Sequence, residues 1–309
     1  MTGFALFLLK RLAGVAVIVW AATLTAFGLF RVGVPNPGID AQISRQLGPG
    51  QPASWQYVHY LGRLLHGNLG ESLTVPVSVD TLLREALPPT LSLMIGGMVL
   101  WLAGGVLAGT VSALRPRWWA SRIATIAVLA TFSVPTFLLA LLLLAVFSRL
   151  AVAGNLWLQP GYVGISHSPG QWLGRMILPW IAVAASQAGI TARLTRSGIL
   201  DILGEDYIRT ARAKGLPRRR ILWMHVFRAA ILPVVSSIGV GFAALLGAAA
   251  IVDQVFALGG IGQAFLTAAR AGDLPVILGT VLVVVVLVAA INLITDICYA
   301  LLNPRIRIS

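Results

Sequence analysis

Six uncharged apolar stretches follow one another along the 309 residues of this chain, over 12–30, 90–114, 123–148, 176–192, 229–252 and 274–295. Nothing else in the sequence limits the fold as severely. A bilayer core of about 30 Å is crossed by roughly 20 apolar residues of helix, and only the fourth stretch is short for that. In hydrocarbon every backbone N–H and C=O must be satisfied within the segment, so runs of this length imply helices, whereas barrel strands would be shorter and alternating. Composition agrees: 58% of residues are hydrophobic, 11% are charged, and the mean hydropathy is +0.88. The expected fold class is all-α, a polytopic membrane protein with six transmembrane helices.

Charge sets the orientation. Lys10 and Arg11 precede the first stretch, which is long for a signal-peptide core and is not followed by a convincing cleavage site, so it reads as a retained helix with its N-terminus inside. Alternate connections then place sixteen of the 23 basic residues on the cytosolic side, nine of them between the fourth and fifth stretches. Arg31, Arg45, Arg63, Arg84, Arg149, Arg175 and Arg270 remain outside, spread over more sequence. Both termini are therefore expected to be cytoplasmic. The net charge of +13 sits in short loops beside helix ends, which points to membrane orientation and not to nucleic acid. Cys298 is the sole cysteine, so disulfides play no part. His59 and His66 lie seven residues apart with no acidic neighbour, a poor basis for a metal site.

The chain divides into an N-terminus and first helix (1–31), an external segment (32–89) and a five-helix core (90–309). The external segment begins rich in Pro and Gly, then becomes helical over 54–66. A further short amphipathic helix over 77–87, with Val79, Leu82, Leu83 and Ala86 on one side, is expected to lie along the membrane surface and to stop at Pro88-Pro89.

Motifs for chemistry are missing. A phosphate-cradling loop needs Gly directly before Lys, and the only two lysines, Lys10 and Lys214, follow Leu9 and Ala213. The chain carries no nucleotide site of that kind, no H-E-x-x-H and no G-x-S-x-G, so no catalytic residues, metal or cofactor are assigned to it. Acids in the apolar stretches are few: Asp253 ends the fifth, and Asp296 lies near the end of the last, where pairing with cytosolic arginine is expected. A proton- or sodium-driven carrier would place ionisable groups at mid-membrane.

The informative polar segment is the cytosolic loop over 197–231. A helix between Gly204 and Gly215 puts Tyr207, Ile208 and Ala211 on one face and Arg209 and Arg212 on another. Ala211 and Ala213 keep it slim enough for a groove on a partner; anionic lipid headgroups are the other surface such a basic loop could meet. Gly215-Leu216-Pro217 breaks it, and Pro217 suits the first turn of a second helix running to Ala230.

The run Asp206-Tyr207-Ile208-Arg209-Thr210-Ala211-Arg212-Ala213-Lys214-Gly215-Leu216, followed by Arg228-Ala229-Ala230-Ile231-Leu232-Pro233, strongly resembles the EAA-type loop of permease subunits from bacterial ATP-binding-cassette importers. The branch it is most similar to is the dipeptide/oligopeptide/nickel permeases, B-type subunit. Ser133-Val134-Pro135-Thr136-Phe137, Gly67-Asn68-Leu69-Gly70-Glu71-Ser72, Gly260-Ile261-Gly262 and Asn303-Pro304-Arg305 also fit, each more weakly. The resemblance covers nearly the whole chain. It implies a type I importer bundle in the bacterial cytoplasmic membrane that pairs with a second permease, two cytosolic ATPases, which bind ATP and Mg, and an external solute-binding protein. It further implies that Glu205, Tyr207, Ile208, Arg209, Thr210, Ala211, Ala213, Lys214 and Gly215 form the coupling helix to an ATPase, with Leu232 and Pro233 anchoring the fifth membrane helix to it. Gly259 departs from the family, which usually has proline there, and 35–52 is atypical, which bears on docking of the binding protein.

A route for a peptide-sized solute would draw on small polar side chains: Thr131, Ser133, Ser186, Gln187, Ser236, Ser237 and Asn292 are the candidates. The same residues suit helix–helix hydrogen bonds and close packing, as do Gly239, Gly241 and Gly247, and Pro135 suits a kink in the third helix. The expected function is the permease subunit of an ATP-driven peptide importer. Import of nickel or another small solute is the alternative within the family, and a stand-alone secondary carrier or channel the alternative outside it.

Overall fold

The computed structural model describes residues 2–32, 51–115, 119, 134–152 and 159–302. Among them the order is α1 (Thr2–Val32), α2 (Ala53–Leu65), α3 (Val79–Leu114), α4 (Thr136–Val152), α5 (Pro169–Gly204) and α6 (Asp206–Ala213). A composite segment follows: α7 (Arg218–Arg220), a π-helix (Ile221–Phe227) and α8 (Arg228–Ala230). The chain closes with α9 (Leu232–Phe256), α10 (Ile261–Ala271) and α11 (Leu274–Leu302). Five of these helices, α1, α3, α5, α9 and α11, are long and apolar enough to cross a bilayer, and α4 contributes a shorter apolar helix over Thr136–Val146. The first eleven residues of the third expected span lie outside the described residues, Thr131 and Ser133 among them.

Two helices are much longer than the bilayer demands. α3 and α5 each have 36 residues, about 54 Å at 1.5 Å per residue, so the apparently short fourth stretch is only the apolar middle of a long helix. The expected break at Pro88-Pro89 does not occur, because both prolines lie inside α3. A proline deprives the carbonyl four residues earlier of its donor. Those carbonyls belong to Arg84 and Glu85, in the half of α3 that precedes its apolar run. Val79, Leu83 and Ala86 are buried against the rest of the fold, so the amphipathic face of 77–87 packs on protein and not along a membrane surface.

The helix pair α3/α5 makes the most extensive contact in the fold, and small residues make it possible. A Cβ on Gly105 would lie 2.7 Å from Thr191, and one on Gly109 would lie 2.5 Å from the carbonyl oxygen of Ala192. Trp101 and Trp180 fill the space between. Trp101 Nε1 donates to Thr191 Oγ1 at 2.6 Å and Trp180 Nε1 to the Ser92 carbonyl at 2.8 Å, so each indole satisfies its N–H within the bundle. The other side of this core is α9: Gly241 accepts the Trp101 ring, and Gly239 accepts Asn292 of α11. A Cβ on Gly247 would meet nothing within 4 Å among the described residues. Pro135 stands just before α4, where its carbonyl accepts from the backbone of Leu138 and Leu139; the residues on its other side, which a kink would involve, lie outside the described residues.

α1 lies along α11, where Arg11 Nε and Asp296 pair at 3.1 Å, the interfacial pairing expected for that acid. The external helix α2 clasps α1. Thr23 Oγ1 and the Tyr57 hydroxyl lie 3.0 Å apart, and Phe27 packs its ring against Tyr57 and Tyr60. Burial lifts the Tyr60 phenol to about 12, so it stays neutral there.

Candidate functional site

The C-terminal end of α5 carries the loop singled out by the sequence. The apolar part of α5 ends before Arg193; the residues from there to Gly204 continue the helix roughly 16 Å further. α6 starts immediately after, with Glu205 as its extended N-cap. Its end has a defined form: Gly215 N–H donates to the Arg212 carbonyl and Leu216 N–H to that of Ala211, a Schellman closure with Gly215 at φ 74°. A side chain at that φ is strained, which is why this turn takes glycine. Thr210 Oγ1 donates to the Asp206 carbonyl.

The expected apolar ridge of Tyr207, Ile208 and Ala211 divides. Ile208 is 0% exposed and belongs to a cluster with Ala113, Ile199, Ile221, Val226 and Ala230, with Ala211 and Leu216 packed at its edge. Tyr207 is 46% exposed on the other side, because residues i and i+1 stand about 100° apart around a helix. The outward face therefore consists of Tyr207, Thr210, Lys214 and Arg209, the last 3.4 Å from Asp206. Ile208 fastens the helix to the bundle.

The return segment is the second helix expected after Pro217, but its middle is π-helical over Ile221–Phe227. It comes back against α5 at Gly198, where a Cβ would lie 2.8 Å from the Ala230 carbonyl oxygen. Leu232 and Pro233 then occupy the first turn of α9, so the loop is stapled at both ends to membrane-spanning helices.

The polar residues considered for a solute route are mostly engaged locally. Ser186, Ser236 and Ser237 donate to the carbonyls of Val183, Pro233 and Val234, each within its own helix. Asn292 sits against Gly239, and Gln187 is half-buried on α5.

At the end of the bundle away from α6, two buried carboxylates that sequence reading left without a role act as structural acceptors. Asp253 accepts from the backbone N–H of Gly260 and Gln263 at 2.9 and 2.8 Å, capping α10, while Thr90 Oγ1 accepts from Ile261 N–H at 2.7 Å. Asp273 accepts from Ser72 Oγ, from Thr74 Oγ1 at 2.9 Å and from Leu73 N–H at 3.2 Å, tying the Gly67–Ser72 stretch to the start of α11. The spacing of Ile261, Phe265 and Ala268 was the available sign of α10. Gly259, at φ 76°, holds a conformation closed to proline, whose ring fixes φ near −65°.

Comparison with known proteins places this architecture. Residues 105–308 match the family described as the binding-protein-dependent transport system inner membrane component. A peptide transport system permease protein of Brucella abortus is 37% identical over 273 residues, covering 88% of this chain and 86% of the relative. The di/tripeptide transport system permease protein of Pseudomonas aeruginosa is 34% identical, covering 97% and 98%. Among solved structures, an inward-facing MetNI methionine ABC transporter matches with a TM-score of 0.52 at 23% identity, over 72% of this chain and 96% of that one, a likeness of fold. The chain thus belongs to the binding-protein-dependent transport system inner membrane components: it is a multi-pass inner-membrane permease subunit of an ABC importer, working with other subunits.

Proposed function

We propose that this permease forms, with a second similar permease, the membrane path for di- and oligopeptides, and that α6 receives the stroke of a cytosolic ATPase. The observation that carries the coupling role is the division of α6. One face is locked into the bundle through Ile208, while Tyr207, Arg209, Thr210, Ala213 and Lys214 are left outside in a slim helix held clear of the apolar span. A groove on an ATPase that seats such a face would move α5, α3 and the return segment together, because Ile208 touches the cluster they share. Glu205 and Gly215 fix the two ends of the helix, Ala211 packs at the rim of the cluster, and Leu232-Pro233 starts α9 directly behind it. Two ATPases, which hold ATP and Mg, and an external solute-binding protein complete the assembly.

The peptide cargo is supported by the relatives, which are named for peptide and di/tripeptide transport. In this reading the route runs along α5, α9 and α11 past Gln187 and Asn292, with Ser186, Ser236 and Ser237 as small surfaces. Their hydroxyls, already bonded within their helices, leave little to grip a passing solute.

The test is reconstitution of the permease pair with its ATPases and binding protein in liposomes. Deleting 207–214, or replacing Gly215→Val, should abolish ATP-dependent peptide uptake while the permease still inserts and the ATPases still hydrolyse ATP. Undiminished uptake in either variant would refute the coupling role. Uptake by the isolated chain along an ion gradient would refute the importer reading itself.

A further inference from the structure

We propose that the cytosolic end of the bundle holds a built site for one anionic phospholipid, with its phosphate between Arg212 and Arg218 and its hydrocarbon in an adjoining cleft. This goes beyond the coupling reading and does not depend on it.

A cavity of about 340 Å³ opens where the ends of α3, α5 and α6 meet the return segment. Arg212 and Arg218 line it, against walls of Leu114, Leu203 and Leu216. Neither guanidinium has an ion pair among the described residues, whereas Arg209 has Asp206. Over 200–230 there are seven basic residues and three acids, Asp201, Glu205 and Asp206, so the local potential is positive. Two free guanidiniums in a partly enclosed space present fixed forks of donors suited to a phosphate.

The second half of the argument is apolar. A cleft of about 90 Å³, which shares Leu114 and Leu222 with the cationic cavity, is walled by Ile199, Trp223, Val226 and Phe227. Trp223 is 64% exposed and packs its ring at a tilt against Phe227, an amphipathic aromatic of the kind that suits a membrane–water boundary. Thr110 also lines this cleft, and its buried Oγ1 has no partner. A free phosphate would leave both the cleft and this hydroxyl unused. A glycerophospholipid fills both, because below its phosphate it offers ester carbonyls as acceptors for the Thr110 hydroxyl and then acyl carbon for the cleft. Leu114 ends the apolar stretch of α3, so the two compartments open where that span leaves hydrocarbon, on the side whose leaflet carries anionic headgroups.

The test is native mass spectrometry of the complete transporter, released from bilayers of phosphatidylglycerol and phosphatidylcholine. Wild type should retain phosphatidylglycerol and not phosphatidylcholine. The Arg212→Gln/Arg218→Gln pair should weaken retention by at least roughly 10-fold, from the loss of two charge-assisted contacts to the phosphate inside the cavity. The Arg219→Gln/Arg220→Gln pair removes the same charge outside the cavity and should retain the lipid. Leu222→Trp, which narrows both compartments and leaves every charge in place, should also lose it, and this keeps the test decisive if the glutamine pair does not assemble. Equal loss in both arginine pairs would mean diffuse attraction and overturn the site. Displacement of the lipid by inorganic phosphate at matched concentration would reassign it to a soluble anion. Occupation of the cavity by an ATPase side chain in the assembled complex would likewise end the proposal.

Discussion

At Asp273 three donors from the external segment converge on one buried carboxylate, joining parts of the chain about two hundred residues apart. Asp273→Asn replaces one acceptor oxygen with a donor facing other donors, so stability should fall by about 1–3 kcal/mol. The check is a lower thermal midpoint of the purified transporter, together with faster proteolysis around Thr74. Ala257 has the opposite character: it ends α9 at φ 50° in the left-handed region, where a Cβ costs about 1–2 kcal/mol. Ala257→Gly should relieve part of that, offset by the greater freedom glycine has in the unfolded chain, and raise the thermal midpoint. An unchanged or lower midpoint would show that the turn is held by something other than its own dihedral preference.

The helix pair α3/α5 depends on what is absent from its interface. Gly109 lets α3 approach α5 so closely that a Cβ would meet a backbone oxygen at 2.5 Å. A backbone atom cannot rotate away as a side chain can. Gly109→Leu should therefore separate the helices and cost at least about 3 kcal/mol, seen as loss of folded protein from the membrane fraction. Gly104, with open space around its Cβ position, should accept alanine without loss and serves as the control. The Arg11–Asp296 pair is half-exposed on the arginine side, and removing it should cost about 0–1 kcal/mol.

For the whole molecule, the consequence of α5's length is mechanical. A single helix runs through the apolar core, past Pro179, to the extended residue Glu205 that starts α6, so displacement of α6 is passed along one element to the other half of the bundle. The joint between the two helices is the hydrophobic cluster under α6. Ile208→Ala should leave a cavity worth about 2–4 kcal/mol and lower the peptide moved per ATP hydrolysed in reconstituted transporter. Ile199→Ala, in the same cluster, should do the same, and the double variant should fall short of the sum because both cut one contact. Full additivity would mean that the two side chains act through separate routes.

The membrane class, the cytosolic loop and its two helices were legible in the sequence because each rests on a local property: apolar length, basic loops beside helix ends, Gly215 and Pro217 as stops. What the sequence could not decide was which local signal yields to packing. Pro88-Pro89 reads as a helix end, yet burial of Val79, Leu83 and Ala86 on neighbouring helices keeps α3 continuous across it. Tyr207 and Ile208 read as one greasy ridge, yet only the position of α5, the π-helix and α8 determines that Ile208 goes inward and Tyr207 stays out. Asp253 and Asp273 read as stray acids, and their donors come from distant turns. Periodicity along the chain says which residues want to leave water; tertiary contact alone says against what.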